Sequence, residues 1–93
     1  MVSKKKGPLK WYVYMLQCAD GSLYTGIATD VARRLNEHNG SKKAARYTRS
    51  RQPVSLVYTE VAESRSAALV REAALKKLPR KEKLILASSS RQK

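Results

Sequence analysis

Trp11-Tyr12-Val13-Tyr14-Met15-Leu16-Gln17-Cys18-Ala19-Asp20-Gly21-Ser22-Leu23-Tyr24-Thr25-Gly26-Ile27 is the stretch on which the fold turns. From Lys10 to Leu16 the residues alternate, with Trp11, Val13 and Met15 on one side and Tyr12, Tyr14 and Leu16 on the other. Both sides are largely apolar, so the pattern predicts a strand covered on both faces. Asp20-Gly21 between two strand-like runs is a strong hairpin signal, and Leu23 to Ile27 is expected to return antiparallel. If the loop has three residues centred on Asp20, Gly26 falls opposite Tyr14 and Tyr24 opposite Leu16, making the two tyrosines diagonal neighbours on one face; a two-residue loop shifts that register. The absent side chain at Gly26 leaves room over the strand for Tyr14 or for a ligand.

Outward from the hairpin, Thr29 or Asp30 is a suitable N-cap for a helix to about Asn39, and Gly40 is placed to end it with a positive φ. Val31, Arg34, Leu35 and His38 follow the i, i+3, i+4, i+7 template and mark the sheet-facing stripe. A buried guanidinium without a partner is costly, so Arg34 is expected beside an open cleft or a bound anion. An exposed ion pair with Glu37 is the structural alternative.

From Gly40 to Pro53 apolar periodicity disappears, while Lys42, Lys43, Arg46, Arg49 and Arg51 accumulate without an acidic residue. This reads as a long basic loop, a feature uncommon in a compact domain unless it binds something. Tyr47 within it is suited either to stacking on a base or to anchoring the loop. Val54 to Val61 predicts a third strand, with Val54, Leu56 and Tyr58 on one face. Ser64 predicts the N-cap of a helix reaching Leu78, and Pro79 the first turn of another through about Ala87.

Composition agrees with a polyanion-binding domain. Lys and Arg number 20 against 7 acidic residues among 93, for a formal charge of +13. Such an excess favours nucleic acid, because each phosphate contact releases condensed counterions. No long apolar span and no signal-peptide run are visible, so a cytoplasmic protein without membrane association is expected. The chain contains 1 cysteine and 1 histidine, which gives no internal disulfide and no metal-ligand spacing between Cys18 and His38. The expected organisation is a basic flexible tail over residues 1–8, one domain over 9–88 and a frayed end over 89–93.

Tyr12-Val13-Tyr14, Tyr24-Thr25-Gly26 and the helix Thr29-Asp30-Val31-Ala32-Arg33-Arg34-Leu35-Asn36-Glu37-His38 together resemble the GIY-YIG nuclease superfamily, in particular its small single-domain bacterial members. The first motif keeps only its final tyrosine, and the second keeps its outer positions. The resemblance implies an α+β fold, a central three-stranded antiparallel sheet flanked by helices in the order β-β-α-β-α-α. It also implies endonucleolytic hydrolysis of DNA phosphodiesters with one divalent metal, Mg²⁺ or Mn²⁺. By position, Tyr14 and Tyr24 correspond to the motif tyrosines, Arg34 to the phosphate-binding arginine, His38 to the helix histidine and Glu72 to the metal-ligating acid. Glu72 is placed by Leu69-Val70-Arg71-Glu72-Ala73-Ala74-Leu75-Lys76, which also offers it an exposed i,i+4 pair with Lys76.

The chemistry accounts for these residue types. Arg34 is suited to a bidentate fork on nonbridging oxygens, and a Glu72-bound Mg²⁺ to the leaving oxygen. Either Tyr14 or Tyr24 is a candidate to take the proton of the attacking water, with Tyr14 favoured on the base side and Tyr24 as the orienting phenol; otherwise both phenols orient water and phosphate. A phenol with an ordinary pKa of about 10 takes a proton only if metal-hydroxide, Arg34 or His38 depresses it. Many family nucleases carry an asparagine about a dozen residues beyond the glutamate, where this chain has Leu84-Ile85-Leu86-Ala87-Ser88. The alternative reading is therefore a nucleic-acid-binding module with little or no turnover. DNA is the expected partner, with RNA second. A monomer or weak homodimer is expected.

Overall fold

A computed structural model describes residues 10–40 and 43–91. The tail expected over residues 1–8 and the basic-loop residue Lys42 lie outside the described residues. The sheet contains β1 (Trp11–Gln17), β2 (Leu23–Ala28) and β3 (Ser55–Ala62), ordered β2-β1-β3 and antiparallel throughout. Four helices flank it: α1 (Val31–Asn39), α2 (Arg46–Arg49), α3 (Arg65–Lys76) and α4 (Arg80–Arg91). The α+β class agrees with the expectation. Its element order gains the short α2 within the segment expected to lack regular structure, and α4 runs to Arg91 instead of ending near Ala87.

β1 is the central strand, which explains its apolar character on both faces. Val13, Met15 and Leu16 are fully buried and Tyr14 nearly so. Tyr14 and Leu16 pack with Cys18 and Val54, against Val31 and Leu35 of α1. On the opposite face, Val13 meets Ala68 and Leu75 of α3, while Met15 meets Val57 and Ala87. Each such side chain withdrawn from water contributes about 1.5–3 kcal/mol, and β1 supplies contacts to both layers.

The hairpin has the expected register, with Tyr14 opposite Gly26 and Leu16 opposite Tyr24. Its turn is built by Asp20, whose Oδ1 accepts from the Ser22 backbone N–H at 3.0 Å and from the Ser22 hydroxyl at 2.6 Å. Gly21 supplies the left-handed conformation, φ +87°, that an L side chain resists. Asp20 also accepts from Arg51 Nε through Oδ2 at 3.1 Å, and the Ala19 N–H donates to the Arg51 carbonyl at 2.9 Å. The hairpin tip therefore fastens the end of the basic segment.

Two local expectations require correction. Gly40 has φ −84° and ψ −156°, an extended conformation instead of a left-handed cap. Tertiary groups close α1 instead: Gln52 Nε2 donates to the His38 and Gly40 carbonyls, and Asn39 exchanges hydrogen bonds with Val54. With those carbonyls satisfied, no left-handed glycine is needed. In β3, strict alternation fails because a bulge falls opposite Met15 and Leu16, which pair with Tyr58 and Leu56 respectively. The extra residue, Val57, turns into the core while Leu56 is exposed.

Gly26 has a packing role distinct from chain flexibility. A Cβ built there would lie 2.5 Å from the Tyr14 hydroxyl oxygen and 2.7 Å from its Cζ. The space expected over the strand at Gly26 is thus filled by Tyr14. Gly26→Ala is expected to lose about 1–3 kcal/mol by overpacking, read as a lower denaturant midpoint with an unchanged m-value.

Candidate active site

The site grows from the end of the Tyr14 side chain. Its ring lies nearly buried beneath α1, so its hydroxyl requires a partner inside the protein. That partner is His38 Nε2, at 2.9 Å, and His38 itself is wholly inaccessible. The capping carboxylate of Asp30, which accepts from the Arg33 N–H at 3.0 Å, sets the start of α1 and hence the phase of its helical stripe. The other imidazole nitrogen, Nδ1, lies 2.7 Å from Thr48 Oγ1 of α2.

Tyr24 joins this group from the hairpin's other strand. Its ring centroid lies 6.5 Å from that of Tyr14 and 5.1 Å from that of His38. Tyr47 follows at 5.9 Å from Tyr24, with the Arg51 guanidinium 4.0 Å over its ring. These contacts favour the anchoring role for Tyr47.

Arg34 borders a shallow cleft of about 280 Å³, also lined by Trp11, Ile27, Ala28, Asp30 and Glu37. Its guanidinium is held by Glu37 Oε1 at 2.9 Å and by the Lys43 carbonyl at 2.8 Å. The Glu37 pair expected from sequence exists, but it is part-buried and joined to the loop carbonyl, so it positions Arg34 beside the phenol. Among the other basic-loop residues, Lys43, Arg46 and Arg49 are exposed, whereas Arg51 is tied to Asp20 and to the Tyr47 carbonyl.

Glu72 reaches the neighbourhood from the other layer. It occupies the α3 stripe that carries Ala68 and Leu75 onto the sheet, and its side chain is only 18% exposed. Its carboxylate pairs with Lys76 Nζ at 3.3 Å, and its charge still acts on the Tyr14 phenol, opposing phenolate formation. Tyr14, Tyr24, Arg34 and His38 thus meet directly, while Glu72 is coupled through its field. Among the described residues no cluster of three or more His, Cys, Asp or Glu side chains is positioned to hold a metal ion.

Burial dominates the electrostatics. It pushes Tyr14 up to about 12, aided by Tyr24 and only partly opposed by Arg34. The depression required for a resting phenolate is therefore not present on Tyr14. Burial also lowers His38 to about 4, reinforced by the Arg34 charge and opposed by Glu37. At neutral pH His38 is therefore neutral, with one ring nitrogen protonated and the other a lone-pair acceptor.

Sequence inspection does not single out Thr48, which lies amid the arginines of the basic segment with no periodic pattern to mark it. Only the placement of α2 under α1 reveals its contact with the imidazole.

Comparison with known proteins gives a consistent result. The pattern of the GIY-YIG catalytic domain matches residues 10–84. A UPF0213 protein of Desulfotalea psychrophila is 60% identical over 80 residues, covering 84% of this chain and 73% of that protein. Another from Syntrophus aciditrophicus is 52% identical over 77 residues, covering 83% and 88%. The solution NMR structure of a UPF0213 protein from Bacillus halodurans shares 47% identity with a TM-score of 0.53, covering 85% of this chain and 83% of that one. A second NMR structure, from E. faecalis, has 45% identity and a TM-score of 0.55, with the same coverage.

His38 provides a direct test of this environment. Its folded pKa lies below the unfolded value, so its contribution to stability is complete above about pH 6.5 and is lost as pH falls toward about 4. NMR titration of the imidazole is expected to give a midpoint near 4. Thermal melts should show a decline over that window, on the order of 3 kcal/mol, that His38→Gln removes.

Proposed function

Because the chain belongs to the GIY-YIG catalytic-domain family, we propose that it is a metal-dependent endonuclease that hydrolyses DNA phosphodiester bonds at the Tyr14–Tyr24–Arg34–Glu72 site. The observation that carries this reading is the buried Tyr14–His38 hydrogen bond beside the fixed guanidinium of Arg34. Ordinary core packing does not require a phenol, an imidazole and a guanidinium to converge, and burying them costs desolvation.

In this reading the backbone phosphate enters the cleft bordered by Arg34. The guanidinium is already ordered by Glu37 and Lys43, so little reorganisation accompanies binding of nonbridging oxygens. Tyr14, held protonated by burial, uses its oxygen to orient the attacking water instead of accepting a proton at rest. Tyr24, on an edge strand and partly exposed, is suited to a second contact with water or phosphate.

The donor set fits a hard cation. Mg²⁺ commonly takes one or two carboxylates and completes its shell with waters and substrate phosphate oxygens, so the single carboxylate of Glu72 is adequate where a dedicated cage is absent. Bound there, Mg²⁺ or Mn²⁺ would supply charge stabilisation at the leaving oxygen. Lys76 would release Glu72 for that task at little cost, since their pair is largely exposed on the lysine side.

The alternative is a nucleic-acid-binding module without appreciable turnover. Leu86 and Ala87 favour it, because they pack into the core in the region where many family nucleases carry asparagine.

The two readings separate experimentally. With Mg²⁺ or Mn²⁺, wild type is expected to nick or cut duplex, single-stranded or branched DNA, and Glu72→Ala to lose at least about a hundredfold in rate with DNA affinity little changed. Equal silence of both proteins on all substrates would leave only the binding module. Changing Lys43, Arg46 and Arg49 to Ala should flatten the dependence of log affinity on log salt by about 0.9 for each phosphate that is no longer neutralised.

A further inference from the structure

Hydrogen-bond polarity runs through Thr48 in one direction. A threonine hydroxyl has one proton to donate, and Thr48 directs it to the Ala45 carbonyl at 3.1 Å. Its oxygen then accepts from His38 Nδ1 at 2.7 Å, which requires that nitrogen to carry the imidazole proton. A neutral imidazole has one N–H, so Nε2 presents its lone pair and accepts from the Tyr14 hydroxyl at 2.9 Å. Thr48, His38 and Tyr14 are all buried, leaving little access for bulk water to scramble this order.

We infer that Thr48 is a positioning residue, holding His38 as its Nδ1–H tautomer so that the Tyr14 proton points to the imidazole and the phenol oxygen keeps its lone pairs for Arg34, the guanidinium that borders the cleft. The inference rests on the endonuclease reading for its catalytic consequence. In the opposite tautomer, Nε2–H would donate to the phenol oxygen, and the Tyr14 proton would turn outward. The same phenol would then change from an acceptor to a donor toward an incoming water. Arg34 reinforces the first arrangement, because its N–H groups also favour a phenol oxygen acting as acceptor.

The position of Thr48 gives the basic segment a second role. α2 follows the loop carbonyl that holds Arg34, and it also carries the hydroxyl that orders His38. The same segment that offers cations to a phosphate backbone thus sets the hydrogen-bond polarity of the site.

The chain's 1 histidine makes the test unambiguous. In ¹H–¹⁵N spectra of the intact protein at neutral pH, the imidazole is expected to show a protonated Nδ1 and a lone-pair Nε2. Thr48→Ser should preserve that spectrum, and Thr48→Val, nearly isosteric, should shift the ring toward Nε2–H. DNA cleavage by Thr48→Val should fall at least about tenfold in kcat with little change in KM, while Thr48→Ser retains it.

A wild-type Nε2–H tautomer would overturn the assignment, as would a Thr48→Val protein that keeps Nδ1–H. If Thr48→Val fails to fold, the wild-type and Thr48→Ser spectra still decide it. Equal loss of cleavage in the serine and valine proteins would reduce Thr48 to packing. If wild type cleaves no DNA, the endonuclease reading falls and takes the positioning role with it, whereas the tautomer is still settled by the spectrum.

Discussion

The hydrogen bond between Tyr14 and His38 is the constraint around which the two layers on this side of the sheet are organised. A phenol buried on a central strand must have a partner, and the only histidine in the chain lies on the helix packed above it. That requirement fixes several choices elsewhere. Gly26 must lack a side chain to admit the ring, α1 must start at Asp30 to bring His38 over it, and α2 must approach closely enough to occupy the second imidazole nitrogen. No buried side-chain nitrogen or oxygen among the described residues is left without a partner, so the polar cluster is fully satisfied. A satisfied buried network costs less than a partial one and specifies a single arrangement.

The basic segment is ordered by the same economy of contacts. Its first part is held to α1 by the Lys43 carbonyl on Arg34, its middle by Thr48 beneath His38, and its end by Arg51 on Asp20. Each tether joins the segment to a residue that also orders the hairpin or the site. Arg51 illustrates the resulting division of labour. Its charge contributes to the field around the domain, but its guanidinium is committed to the hairpin turn and the Tyr47 ring, so it differs from exposed Lys43, Arg46 and Arg49.

Features governed by short-range rules are legible in the sequence. Asp20-Gly21 determines the hairpin loop, the loop determines the opposition of Tyr14 and Gly26, and Asp30 and Ser64 are readable caps. The convergence of Tyr14, Tyr24, Arg34 and His38 follows from strand and helix periodicity. What stays hidden depends on contacts distant in sequence. Gly40 looks like a helix stop, but Gln52 satisfies the carbonyls that would have required it. The β3 bulge inverts Leu56 and Val57 through packing with β1 and α4, and Thr48 acquires its role only when α2 docks. The Tyr14 environment departs from expectation for a related reason. A nearby arginine is visible in sequence, but the depth of burial that outweighs it is not.

Electrostatics gives the net charge a functional reading independent of the family. Of the 7 acidic residues, Asp20 builds the turn, Asp30 caps α1, Glu37 holds Arg33 and Arg34, and Glu60 joins Arg71 and Tyr58. Glu72 is shielded more than its lysine partner and lies within electrostatic reach of the phenol. The +13 surplus therefore remains largely uncompensated by the fold, although like charges oppose compaction. Arg34 belongs to that surplus but is fixed in place. Glu37 and the Lys43 carbonyl restrict the guanidinium to one place, while the surrounding cations concentrate anions near the cleft without specifying their orientation. Long-range charge attracts anions without orienting them, whereas a fixed donor such as Arg34 offers its hydrogen bonds in one geometry.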